Sequence, residues 1–103
     1  MTIQFGGPLP DGDFDLHYAF FERCIDLLRD RNDDYGPVEV CFGKIALSWS
    51  AYKGVNFNAY DVAIMMAQLK LARLSKGHYQ DSLDDAAAYL MLANKLKGEG
   101  KND

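Results

Sequence analysis

An all-α fold is what this sequence predicts: a compact bundle of four helices that also associate with other copies through their faces. Three observations carry that expectation. Apolar residues recur at three- and four-residue spacing in four separate stretches. Short runs rich in Gly, Pro, Asn and Asp separate those stretches. No segment alternates as a half-buried strand does, and no repeat or low-complexity run is present. Helices joined by short connections pack as a bundle.

The chain has 103 residues, of which 49% are hydrophobic and 25% charged, with a formal net charge of -4. That composition fits one globular domain, expected over residues 14–97, between an extended arm at 1–13 and a frayed polar tail at 98–103. An acidic balance, with pI about 5.0, argues against non-specific nucleic-acid binding but leaves room for one small anion in a local basic pocket. Cys24 and Cys41 stand at no metal-ligand spacing and fall within helical apolar patterns, as buried thiols in a reducing compartment would. The first residues lack a basic region followed by an apolar run, and no apolar run approaches the ~20 residues of a membrane span. The expected location is the cytoplasm, without membrane contact.

Helix one is expected from Asp13 or Phe14 to about Asp30, with Phe14, Tyr18, Phe21, Ile25 and Leu28 as its stripe. Glu22 and Asp26 are four apart and share the polar side, as a solvated acidic face or, on the sharper reading, a pair of metal ligands. RNDDYGP, residues 31–37, then breaks the helix. Gly36 before Pro37 fits a helix entry whose backbone amides can hold an anion. Helix two follows over about 37–52, with Val38, Cys41, Phe42, Ile45, Trp49 and Tyr52 on one narrow stripe as core aromatics and aliphatics. Gly54 stops it.

The third stretch, Asn58 to Ser75, is apolar on almost every side, which implies that it is surrounded, either by the rest of this chain or by a second copy of it. Asn58 with Asp61 has capping-box spacing. Lys70 and Arg73 fall about 60° apart on the same side as Val62, Met66 and Leu69, so two cations stand where the helix is most apolar. Helix four is expected over 81–97, with Ser82 and Asp85 at capping-box spacing. Asp81, Asp85, Tyr89, Leu92 and Leu96 share a stripe, while Asp84 lies toward the opposite flank with Met91 and Lys95. A carboxylate at the shoulder of an apolar face needs a cation, and Lys70 or Arg73 is the candidate.

Two accounts of these charges compete. Asp81, Asp85, Glu22 and Asp26 offer hard oxygen ligands suited to Mg²⁺, with Lys70 and Arg73 neutralising phosphate, as in a nucleoside-triphosphate hydrolase. Alternatively, the charges form a structural ion-pair network that fixes helix register. On the residues alone the second account is the plainer one.

A resemblance bears on the choice. D-Y-G at 34–36, K-x-x-R at Lys70 and Arg73, and D-S-x-x-D-x-x-x-Y from Asp81 through Ser82 and Asp85 to Tyr89 occur in that order. Over about Asp30 to Leu96 the chain resembles a small domain frequent in phage and prophage genomes, related to the nucleotide-modification-associated domain. That group is in turn distantly similar to all-α MazG-type pyrophosphohydrolases. The resemblance implies a helical phage protein that binds or acts on nucleotides, through positions that map to Tyr35, Gly36, Lys70, Arg73, Asp81, Asp85 and Tyr89. The MazG-type pattern also calls for an E-x-x-E pair on an earlier helix, and helix two here has only Glu39. Three function classes follow: a Mg²⁺-dependent nucleotide hydrolase, a binder that sequesters a nucleotide signal from host defence, and an oligomeric interaction protein. A dimer or larger homo-oligomer is expected, with a nucleotide or other small phosphorylated ligand as partner.

Overall fold

In a computed structural model that describes residues 11–98, every regular element is helical. The helices are α1 (Asp11–Tyr35), α2 (Val38–Lys53), α3 (Ala59–Ala72) and α4 (Tyr79–Leu96), with a 3₁₀ turn, Arg73–Lys76, prolonging α3. Most of the expected arm and tail, residues 1–10 and 99–103, lie outside the described residues.

Helix α1 departs most from expectation. It runs five residues past Asp30, because nothing in Arg31–Tyr35 blocks helix formation; the break waits for Gly36 and Pro37. Pro37 disfavours helical backbone in the residue before it. Gly36 takes φ 78, a left-handed conformation cheap only for glycine, while its N–H still bonds the Asn32 carbonyl at 2.9 Å. Helix α3 starts with the expected capping box. The Asp61 N–H donates to Asn58 Oδ1 at 2.9 Å, and the Asn58 N–H donates to Asp61 Oδ2 at 3.0 Å. Helix α4 starts two residues earlier than expected, after a left-handed His78 with no side-chain cap. Ser82 is therefore not a cap; it is buried in the first turn with its hydroxyl unpartnered.

The central pair is α3 with α4; α2 packs on α3, α1 packs on α4, and α1 and α2 scarcely meet. Small residues let the central pair approach closely. Ala59, Ala63 and Ala67 recur every four residues on α3, against Ala86, Tyr89, Ala93 and Leu96 on α4, all of them buried. Val38, Phe42, Ile64 and Leu92 pack around this centre. The bundle is thus open along the line where α1 and α2 would close it.

Of the two surroundings expected for α3, the described residues of the chain supply only part, since Met65, Leu69 and Leu71 are exposed. One expectation about packing is corrected. The aromatic stripes reach past the core: Phe14, Tyr18 and Phe21 are exposed, and Tyr52 at the end of α2 is 86% exposed. Helix α1 is longer than the surface of α4 that it covers, and α2 has only α3 as a close neighbour.

Candidate functional site

The chemistry begins with two adjacent carboxylates on α4. Asp84 accepts from Arg23 Nε at 2.9 Å and from Gln80 Nε2 at 2.8 Å. Asp85 meets Lys70 Nζ at 3.2 Å and Arg31 Nη2 at 3.4 Å. Arg31 also donates to the Tyr89 hydroxyl at 2.7 Å, and its guanidinium lies 5.3 Å from the centre of that ring. Neighbours in sequence, these aspartates tie α4 to α1 on one side and to both α1 and α3 on the other. The expected partnership of Lys70 with Asp85 is present.

Asp84 reverses its expected position. Read on a single apolar stripe it belongs to the outer flank, yet its side chain is only 9% exposed. Helix α4 has neighbours on two sides, so its second flank is buried against α1. Beneath Asp84, Cys24 is fully buried, and its thiol contacts the Asp84 carbonyl at 3.6 Å. Burial, reinforced by the Asp84 charge and partly offset by Arg23, raises the Cys24 thiol above its ordinary pKa.

Two depressions flank this network. The larger, a cleft of about 700 Å³, opens between the second half of α1 and the first half of α2. Ile25, Leu28, Phe42, Ile45 and Leu92 make much of its wall, and Arg31, Lys95 and Tyr35 also border it. Gly36 and Val38, on either side of the uncapped start of α2, line it too. Tyr89 forms part of the wall, with its ring stacked on Phe42 at 6.2 Å. At the rim, Lys95 pairs with Glu39 at 2.9 Å; that hydrogen bond first, then the lysine charge, holds the Glu39 carboxyl below its usual range.

The smaller depression is bordered by Asp26, Asp30, Arg73, Asp81, Asp84 and Asp85, among others. The residues singled out from sequence therefore divide. Tyr35, Gly36 and Tyr89 fall on the cleft, Arg73, Asp81 and Asp85 on the smaller depression, and Lys70 joins the network through Asp85. Of the four carboxylates expected as metal ligands, Asp26, Asp81 and Asp85 border one depression, while Glu22 is exposed and not in its lining. Among the described residues no three His, Cys, Asp or Glu side chains converge closely enough to hold a metal ion. Asp26 instead makes a loose 3.7 Å contact with Arg29, one turn along α1.

Arg23 and Arg31 are the residues the sequence argument missed. A signal existed: with Phe20, Cys24 and Leu27 they recur at three- and four-residue spacing. Two cations on a packing face call for buried anions by the same logic that singled out Lys70.

Fold and site together define a class: a small all-α protein whose helices are cross-linked by part-buried ion pairs beside an apolar cleft. The chain belongs to the family described as a domain of unknown function, DUF6378, which matches residues 22–97. It is 42% identical over 69 residues to the Gene 55 protein of Mycobacterium phage L5, covering 65% of this chain and 44% of that protein. With the Gene 55 protein of Mycobacterium phage D29 it is 38% identical over 71 residues, covering 68% of this chain and 47% of the other. The chain thus spans less than half the length of these curated relatives. No solved structure matches. The phage part of the resemblance agrees with these relatives; none of them extends it to MazG-type enzymes.

Proposed function

We propose that the protein binds a nucleotide, or a similarly built phosphorylated small molecule, in the cleft between α1 and α2. One observation supports this reading above the rest. The cleft combines an apolar, aromatic wall (Phe42, Tyr89) with cations at its border (Arg31, Lys95) and the uncapped start of α2. A flat ring suits such a wall, and an anionic group suits cations and the start of a helix. The Lys95–Glu39 pair is exposed enough to exchange for a ligand phosphate. A distant MazG-like ancestry of the fold is part of the same proposal.

The test is a titration of the full chain with mono-, di- and triphosphates of each base, and with inorganic phosphate, followed by calorimetry and thermal shift. Saturable binding is expected, with about 2.7 kcal/mol of added stability at ligand 100 times above Kd. Lys95→Met should weaken binding about tenfold, and in the free protein it removes only the exposed pair with Glu39. If no nucleotide shifts the melting curve, the proposal is wrong.

A hydrolytic version is favoured by the carboxylates that border the smaller depression beside Arg73. This version requires the phosphates of a triphosphate to reach from the cleft to that depression, where Mg²⁺ would be held through water, since the two share no lining residue. Release of pyrophosphate or phosphate that requires Mg²⁺ would support it. Binding without product leaves a binder, such as one that sequesters a nucleotide signal.

A further inference from the structure

The cleft between α1 and α2 holds less free positive charge than its cations suggest. Arg29, Arg31 and Lys95 line it, and each already stands beside a carboxylate. Lys95 has Glu39 at 2.9 Å, Arg31 shares Asp85 with Lys70, and Arg29 has Asp26 at 3.7 Å. Asp33 lines the cleft as well, and no cation among the described residues pairs with it.

Building on the reading that this cleft takes a phosphorylated ligand, we infer that the ligand carries a single phosphate, as a nucleoside monophosphate does, and that Glu39 and Asp33 turn di- and triphosphates away. Two positive charges are open to a ligand there. One is the surplus at Arg31, because Arg31 and Lys70 share one carboxylate. The other is Lys95, released when a phosphate takes the place of Glu39 in a pair whose side chains are 61% and 47% exposed. Arg29 adds little, since its side chain is 75% exposed and water screens it.

A phosphate monoester carries about −1.5 to −2 at pH 7, which two cations match. A second or third phosphate meets no further cation and faces Asp33 and the displaced Glu39. Like charges set against each other cost affinity, and a site rejects a competitor by that means. The wall agrees with the charge. A cleft of about 700 Å³ bounded by Ile25, Leu28, Phe42, Ile45 and Leu92 gains from burying a ring and gains nothing from a longer polyphosphate chain.

The test titrates the full chain with the mono-, di- and triphosphate of one base, in EDTA and again with Mg²⁺. Glu39→Gln, Asp33→Asn and the double variant are measured beside the unmodified chain. Both carboxylates are exposed, so the far-UV helical signal should not change. Cys41 lines the cleft while Cys24 is fully buried, so slower modification of Cys41 by a thiol reagent reports an occupied cleft.

The unmodified chain should bind the monophosphate about tenfold more tightly than the triphosphate in EDTA, with the same order in Mg²⁺. Each single variant should raise triphosphate affinity about tenfold and monophosphate affinity about threefold at most, and the double variant should bring the two near parity. Asp15→Asn, a neutralisation on α1 away from the cleft lining, should leave the order unchanged. A triphosphate bound more tightly than the monophosphate in either medium, or variants that raise every ligand equally, would overturn the inference and leave the ligand reading standing. If no nucleotide shifts the melting curve or protects Cys41, both fall together.

Discussion

Asp85→Asn removes the one negative charge that Lys70 and Arg31 share, and its cost can be worked from the geometry. The carboxylate is 17% exposed, against 15% for Lys70 and 34% for Arg31, at 3.2 and 3.4 Å. Exposed ion pairs contribute about 0.2–1 kcal/mol, and breaking a fully buried one costs about 3–5. A pair of intermediate burial, left as two facing cations, should cost about 2 kcal/mol. Lys70→Met is milder, about 1 kcal/mol, because Asp85 keeps Arg31 and the methionine follows the apolar path of the lysine stem. The double variant should lose about 1.5 kcal/mol rather than the sum, a coupling of about 1.5. At roughly 4–8 °C per kcal/mol for a domain of this size, Asp85→Asn lowers the midpoint by about 8–16 °C. Thermal and urea melts of all four proteins, at one fixed concentration, measure this directly. Strict additivity would refute the assignment, since it would mean that Lys70 and Asp85 do not feel each other.

Three further outcomes follow from particular residues. Ser82→Ala deletes a buried hydroxyl that has no partner, so it should raise stability by about 1 kcal/mol in the same melts; a loss would show that the hydroxyl is satisfied. Because burial raises the Cys24 pKa, its contribution is fully present below the ordinary thiol range and is lost as pH rises through and above it. Alkaline melts should show that slope, Cys24→Ala should remove it, and a thiol reagent should modify Cys41 well before Cys24. The Glu39 carboxyl is held low by Lys95, so its contribution is present above the usual carboxylate range and fades as pH falls. The difference in midpoint between Glu39→Gln and the unmodified protein should therefore vanish in acid.

How much was legible depended on how local the cause was. The capping box at Asn58 and Asp61 and the stop at Gly54 involve residues within four positions of one another, and both occur as expected. The pairing of Lys70 with Asp85 was also within reach, because a charge on an apolar face must meet its opposite and α3 and α4 are consecutive. Arg31 was lost to a turn misplaced by five residues: Asn and Asp weaken a helix without ending it, whereas Pro37 ends it. Asp84 was assigned to the outer flank because one stripe was allowed per helix, and α4 packs on two neighbours.

What the sequence determined by itself is the class of fold and where its helices begin and end, to within a turn or so. Periodicity, caps and glycines act over three or four residues, and nothing distant has to be known. Tertiary structure decided which faces are covered. Helix α3 is apolar nearly all round, so composition could not say which side meets the chain itself. Only the packing of α3 on α4, with α1 and α2 held apart, leaves a cleft lined by residues 25 to 95 and sets Asp84 and Asp85 against cations from two different helices. Contacts made across about sixty positions of chain obey no local spacing rule, and they are the ones that shape the site.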